Sequence, residues 1–526
     1  MKTNKPLLIL ALIGIVLYIS LAFAYGDDPQ PAEDGAMLSK SEAAAQAVQF
    51  VESMSELREP RTFVTYRTHK MFSGYLQQQD LYREYLDRYE NKYPTEYFTV
   101  EVADAATRAH YEVDVGMRDG RVLGWSNLNA PEGGPADATL EHEAALFLYK
   151  QGYDAGRLRL VPQPGDPPGR FVFESESEAI GDARLRLAVD VAHGEIAGFH
   201  AAFSVPETFA GWLDGQDATA GRLTWISLCA TAFMALYSLF YAARRRKEIP
   251  LNRGALLTLV FLLIYGANNF NTYPALKAVY GAEMTGPTAA LFIVFLNFAT
   301  LLMAVSLYLN LIAGRSMWEK LGRHPWPHWT EARFGDEVLG GMGRGYLLAL
   351  FLLGVQQLLF FIAATVFDVW AVNDAADSLY NMFVPALFPL MAWAAGISEE
   401  AAYRLFGIAF FKKLFRFNFP AVLVPSVIWA LSHTQYPIYP VYTRLVEVTA
   451  LGLAFGYVFL RYGFFTALFA HTAMDSILMG MSLLYTGSPP EMAAGAFYMV
   501  MPALVGWLIH LLHSRLRLKR AAAIRP

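Results

Sequence analysis

The run Leu223–Ala243, LTWISLCATAFMALYSLFYAA, carries no charged residue and is closed by Arg244-Arg245-Arg246-Lys247. A bilayer core takes about 20 apolar residues of helix, and basic residues gather on the cytoplasmic flank of a span. The stretch therefore reads as a transmembrane helix with its C-terminal end inside. Upstream of it, from Gly26 to about Ala220, charges and turn residues recur and no apolar run is long enough to span. Before that region, Pro6–Ala24 forms a first span, preceded by Lys2 and Lys5. Its Ala22-Phe23-Ala24 resembles a signal-peptidase site, and we read an uncleaved anchor. Downstream, spans are expected at roughly 255–272, 286–313, 343–367, 381–411, 419–434, 443–461, 463–485 and 492–512. With the first two they make about ten.

The basic residues test this arrangement. Loops assigned inside carry Arg244–Lys247 and Arg253, then Arg315, Lys320, Arg323 and Arg333, then Lys412, Lys413 and Arg416, then Arg461, then Arg515, Arg517, Lys519 and Arg520. Loops assigned outside carry only Lys277 and Arg444, and the outside loop Asp368–Tyr380 is acidic. One orientation satisfies every loop. It places both termini in the cytoplasm and residues 26–220 outside a multi-pass cell-membrane protein.

Bulk composition agrees. Of 526 residues, 55% are hydrophobic and only 17% charged, against about 25% charged in soluble chains. Disorder and coiled coil are excluded, and a net charge of −5 leaves no footprint for nucleic acid. The single cysteine, Cys229, excludes an intrachain disulfide or a thiolate-rich metal site.

The expected fold is an α-helical polytopic membrane protein with an inserted α+β extracytoplasmic domain. Its parts are an anchor (1–25), the outer domain (26–220), helices with a cytoplasmic loop (221–340), a membrane core (341–515) and a basic tail (516–526). The outer domain holds an internal repeat. Val113-Asp114-Val115 leads through Asp119-Gly120 to Val122–Trp125, and Val189-Asp190-Val191 leads through Gly194 to Ile196–Phe199. Each reads as a β-hairpin, and each follows a helical pattern, Ser41–Ser53 and Leu140–Gln151. The two units resemble PepSY-like modules. Two histidine pairings are decoys. Glu141-His142-Glu143 lacks the second histidine of a zinc helix, because position 146 is Leu. His324 and His328 are separated by Pro325 and Pro327, which forbid the helix that would align them.

Ionisable groups within a span are expensive, and three clusters need a reason. Glu399-Glu400-Ala-Ala-Tyr403-Arg404 interrupts the apolar stretch Phe383–Phe411. Glu400 and Arg404, at i,i+4 with the acid first, suit an ion pair. That leaves Glu399 without a built-in partner, the condition of a general base. Trp429 and His433 share a helix face, as do His471 and Asp475. At about 1.5 Å per residue, Glu399 lies roughly 20 Å from Lys412, and His433 roughly 22 Å from Asn418. His471 and Asp475 lie roughly 12 and 18 Å from Gly463. All four groups can meet near mid-membrane.

In this order, the three clusters resemble the CAAX prenyl protease and bacteriocin-processing (CPBP, or Abi) family. Its pattern is Glu-Glu-x-x-x-Arg, aromatic-x-x-x-His and His-x-x-x-Asn/Asp. The likeness covers about residues 380–485, with Trp429 where Phe is usual, Asp475 where Asn is frequent, and the glycine after the arginine displaced to Gly407. It implies an intramembrane endopeptidase acting on membrane-associated or prenylated-type substrates. Glu399 would activate water, and His433 would position or polarise it. His471 and Asp475 would stabilise the oxyanion or share a metal, while Glu400 and Arg404 brace the helix and bind a substrate carboxylate. Zinc on His433, His471 and Asp475 would suit a catalytic site, but a carboxylate base with a His/Asp oxyanion site needs no metal. Two rivals stand beside this reading, a non-catalytic immunity or scaffold protein and an ion-coupled transporter. If the cavity opens inward, the outer domain does not grip that substrate; it senses an extracytoplasmic signal, recruits a partner or presents a different substrate from outside. Deleting 30–215 would then leave Glu399-dependent cleavage intact but alter its regulation or substrate range.

Overall fold

The computed structural model describes residues 4–25, 37–131, 138–161, 166–251 and 253–524. Lys2, the start of the outer domain at Gly26 and the end of the basic tail lie outside the described residues. Helix α1, Lys5–Tyr25, lies against the membrane core. A mixed region follows, with helices α2 (Lys40–Glu52), α3 (Lys70–Gln78), α4 (Tyr82–Arg88) and α5 (Ala138–Lys150). Its strands are β1 (Arg61–Thr68), β2 (Glu96–Asp104), β3 (Ala109–Gly116), β4 (Val122–Asn127), β5 (Leu158–Leu160), β6 (Arg170–Ile180), β7 (Ala183–Ala192) and β8 (Glu195–Ser204).

These eight strands form one antiparallel sheet in the order β1-β2-β3-β4-β8-β7-β6-β5. Alternation along the strands produces it. Strand β3 buries Ala109, Tyr111, Val113 and Val115, and β7 buries Ala183, Leu185, Leu187, Val189 and Val191. Each half is covered by a helix. Ala43, Ala47 and Val51 of α2 pack with Val100, Val102 and Val113, and Ala144 and Leu148 of α5 pack with Leu185 and Val189. A capping box between Ser39 and Glu42 starts α2. The β7–β8 turn needs left-handed backbone at two successive residues, His193 (φ 52°) and Gly194 (φ 82°), the geometry that matches strand twist in a two-residue hairpin.

The halves meet where Trp125 and Ser126 of β4 face Phe199 and Gly198 of β8. A polar staple crosses the sheet beside this seam. Asp114 accepts from the Thr99 hydroxyl at 2.6 Å and lies 3.3 Å from His200 Nδ1, while His200 Nε2 is 2.8 Å from the Ser126 hydroxyl.

The remaining helices are α6 (Glu207–Arg244), α7 (Ala255–Asn271), α8 (Tyr273–Tyr280), α9 (Gly286–Lys320), α10 (Phe334–Phe367), α11 (Met391–Glu399), α12 (Ile408–Phe415), α13 (Asn418–Leu431), α14 (Val441–Tyr462), α15 (Phe464–Leu484) and α16 (Pro489–Ile524). Among the described residues, seven helices are long and apolar enough to cross a membrane: α1, α6, α9, α10, α14, α15 and α16. An eighth crossing arises if α7 and α8, bent by 44°, count as one. Their outward faces carry exposed apolar residues such as Leu256, Leu263, Leu291 and Val294, as a surface in lipid requires. The chain is a largely helical membrane protein with an α+β region near its N-terminus. Helix α1 is seated on α10 through Gly14 and Gly354. A Cβ on Gly354 would meet the Gly14 carbonyl oxygen at 2.3 Å, the close backbone approach typical of membrane helix pairs.

Two expected spans take another form. Residues 381–411 do not make one helix. A 3-10 turn at Pro385–Leu390 leads into α11, then a π-helical segment Glu400–Gly407, then α12. Pro385 and Pro389 account for the first break. The stretch expected at 419–434 is the 14-residue α13, which ends before Ser432. The boundary expected at 220 falls inside α6, which runs unbroken for 38 residues from the sheet domain to Arg244. Loops from the helical half also enter the core of the sheet domain. Strand β9 (Trp370–Ala371) pairs with β10 (Ile438–Tyr439), and Trp370, Val372, Tyr439 and Val441 are buried with Phe72, Phe209 and Leu213.

Burial alone would raise the Asp114 carboxyl, but the bonds and charge of His200 and the Thr99 hydroxyl outweigh it and hold it below its ordinary 3.8. Burial likewise lowers His200, and Asp114 outweighs it to raise the imidazole above 6.5. Asp114 then contributes stability that is lost as pH falls below about 4, and His200 contributes stability that is lost as pH rises past about 6.5. Thermal midpoints of the full chain should be highest between these values. Asp114→Asn should lower and flatten that maximum in a pH series.

Candidate active site

The site forms where the broken helix 385–415 crosses α13, α14 and α15. Gly396 permits the crossing, since a Cβ there would stand 2.2 Å from the Thr472 hydroxyl of α15. One turn later the α-helical ladder gives way to i→i+5 pairing over Glu400–Gly407, an irregularity frequent at functional sites. Glu399 ends α11 and Glu400 begins the wider turn, so the adjacent carboxylates part.

Glu400 turns into the protein and is fully buried. Its Oε1 lies 3.1 Å from Arg404 NH1 and 2.9 Å from His471 Nδ1. Arg404, 1% exposed, lies with its Cζ 4.1 Å from the centroid of the Trp429 ring and 5.3 Å from that of Phe455. The ring faces attract the guanidinium where few acceptors reach it. Arg404 does not line the cavity, so the geometry gives it no place to bind a substrate carboxylate.

Glu399 turns the other way, into a cavity of about 500 Å³. Its Oε2 accepts a short hydrogen bond from the Trp429 indole N–H. His471 Nε2 lies 3.8 Å from the same oxygen and 3.4 Å from Asp475 Oδ2. The His471 ring stacks on Phe455 with centroids 4.9 Å apart. His433 stands just past the end of α13. Its Nδ1 is 2.9 Å from the Trp429 carbonyl oxygen and its ring lies edge-on to Trp429. With Nδ1 donating to that carbonyl, Nε2 is left as the acceptor nitrogen. Thus Glu399, His433, His471 and Asp475 all line one cavity, and Glu400 and Arg404 lie behind it.

His433 Nδ1 is committed to a backbone carbonyl, which leaves only Nε2 to reach the cavity shared with His471 and Asp475. Among the described residues, no group of three or more His, Cys, Asp or Glu side chains is placed to hold a metal ion. Neither decoy joins the site. His142 is exposed on α5, and His324 and His328 lie in a non-helical turn.

The other lining residues point in one direction. Gln356 lies in the last third of α10, Arg444, Val448 and Leu451 in the first half of α14, and Leu478, Met481 and Ser482 in the second half of α15. The cavity therefore runs from Glu399 toward the end of the bundle that carries the sheet domain. Sequence reasoning missed a second polar cluster on this path. Gln356 Nε2 donates to Glu447 Oε1 at 2.9 Å, and Arg444 pairs with Glu447 Oε2 through a short contact. Its signal was present, because Arg444 and Glu447 are charges three residues apart within α14.

The site thus sets a buried carboxylate–imidazole pair beside a second, cavity-facing carboxylate, between apolar helices. Residues 381–477 match the family model described as "Type II CAAX prenyl endopeptidase Rce1-like", the family that the ordered motifs resemble. The solved Bacillus megaterium YpeB C-terminal domain is similar at 12% identity over 33% of this chain and 70% of its own, with a TM-score of 0.20. No curated protein matches this chain.

Glu400 and Glu399 should separate cleanly by mutation. Glu400→Gln leaves Arg404 buried without its counter-charge, a change worth about 3–5 kcal/mol of stability. Its unfolding midpoint in detergent should fall steeply, while that of Glu399→Gln stays close to wild type.

Proposed function

We propose that this chain is an intramembrane endopeptidase in which Glu399 activates water. The observation that carries the reading is the division of labour between adjacent carboxylates. Glu400 is fully buried on Arg404 and His471, and Glu399 is held at the cavity by the Trp429 N–H. In the reaction, Glu399 takes a proton from water as its oxygen attacks the scissile carbonyl. His433 Nε2 orients that water. His471 stabilises the oxyanion from Nε2, exchanging its contact with Asp475 for the substrate oxygen, while Glu400 holds Nδ1. The C–N bond then breaks, and Glu399 returns the proton to the leaving amine. No step needs a metal.

In this reading the chain crosses the membrane about ten times, counting α7 and the two short crossings 385–415 and α13 with the seven long helices. Both termini lie inside, as the basic loops indicate, and the sheet domain lies outside. The cavity then faces outward. The substrate is a membrane-anchored protein or peptide whose scissile segment enters from the outer leaflet side, along a wall of Met474, Leu478, Met479 and Met481.

The test is Glu399→Gln in liposomes, with farnesylated and unmodified membrane peptides followed by mass spectrometry, with and without chelator. Cleavage should drop by about 10²–10⁴-fold and be indifferent to chelator. Equal cleavage by variant and wild type would remove Glu399 from the mechanism.

A further inference from the structure

The loop that carries His433 also completes the hydrophobic core of the outer domain. Between Leu431, where α13 ends, and Val441, where α14 begins, His433 faces the cavity and Tyr439 is inserted among Leu213, Trp370 and Val441. Tyr439 is 1% exposed. Its hydroxyl donates to Asp217 Oδ1 of α6 at 2.6 Å. The Thr434 hydroxyl reaches the Ala220 carbonyl of α6 at 3.3 Å, and the Val441 N–H donates to Gln216 Oε1 at 3.0 Å. Thus three residues of this segment bond to one helix, and α6 is the same helix that continues through the membrane to Arg244.

The other side of the loop is held as firmly. Strand β10 pairs with β9, and the Trp370 ring lies with its centroid 4.8 Å from that of Tyr439. Trp370 also fills the space over Gly74 of α3, where a Cβ would stand 2.7 Å from the ring. Lys70, at the start of α3, lies 3.5 Å from Asp217 and 3.3 Å from Asp374, tying α6 to the loop that bears β9. A second anchor joins the halves further along. The Asn381 side chain accepts from the Tyr66 N–H at 2.8 Å and donates to the Tyr66 carbonyl at 2.9 Å.

We propose that Tyr439 and Asp217 are positioning residues that set the His433 imidazole, so that the chemistry within the membrane is conditional on the outer domain. His433 sits in the turn that closes α13, its N–H on the Ala430 carbonyl and its ring on that of Trp429, and the adjacent Thr434 is the first residue of the loop tied to α6. The ties run to α6 and to the core beneath α3. The outer domain is therefore not separable, because removing 30–215 would delete Phe72, Phe209 and Leu213 from around Trp370 and Tyr439. The effect on cleavage rests on the protease reading above. The effect on His433 does not.

The experiment uses the full chain in detergent micelles and reads the rate of His433 modification by diethyl pyrocarbonate, by mass spectrometry. Exposed His142 on α5 serves as internal reference, and hydrogen exchange is followed over 432–440 and over the sheet. Asp217→Asn and Tyr439→Phe each remove part of the tie. Each should speed His433 modification by about tenfold, the equivalent of one hydrogen bond to a charged group. Exchange should accelerate across 432–440 only, with His142 unchanged. On a cleaved peptide, kcat should fall and KM hold. An unchanged His433 rate in both variants would overturn the proposal. So would acceleration spread across the sheet in both, which would mean that the cluster only holds the domain together. If Tyr439→Phe alone disturbs the sheet, the isosteric Asp217→Asn decides. A His433 rate that responds in a protein whose Glu399→Gln variant still cleaves would keep the coupling and retire the protease mechanism.

Discussion

The contact of Glu400 with Arg404 and His471 is the constraint on which the rest of the site depends. A carboxylate and a guanidinium in the interior of a membrane bundle are tolerable only if each answers the other. Here the carboxylate reaches Arg404 and His471 together, and the guanidinium spreads over Trp429. Trp429, fixed in place, directs its N–H at Glu399. Three helical segments are thus locked by one buried charge pair. The cavity-facing carboxylate, Glu399, is the one that the arrangement leaves outside the pair.

Much of this site was legible because ionisable residues inside apolar spans have few innocent explanations. The i,i+4 pairing of Glu400 with Arg404 and the shared face of His471 and Asp475 follow from helical period alone, and both occur. The alternating segments around Val113 and Val189 pair as hairpins for the same reason, one face being buried. Other features leave no trace in hydropathy. The π-helical turn is a change in backbone hydrogen-bond register, which the side-chain pattern does not record. The indole of Trp429 counts as an apolar group in any pattern, although its N–H supplies the hydrogen bond to Glu399. Nor does hydropathy record that the His433 ring is held by the carbonyl four residues behind it.

Architecture was misread where the chain was divided into parts. Composition changes near residue 220, and a boundary there is natural. Helix continuity is set by backbone geometry, however, and α6 runs from amphipathic to apolar without a break. Short loops between spans were likewise taken as connectors. Trp370 and Tyr439 lie in such loops, too few in residues to raise a hydropathy average, yet they are core residues of the sheet domain.

That shared core has a consequence for how the protein is made. Synthesis delivers β1 to β8 first, and the sheet domain emerges while the rest of the chain is unbuilt. Its second half then lacks Trp370, Val372, Tyr439 and Val441, which follow more than one hundred and fifty residues later. At about 5–20 residues per second the wait is on the order of ten seconds or more. Throughout it, Phe72, Phe209 and Leu213 face an open groove. The sheet region is therefore translated early but closes late, only once the chain has been made through Val441.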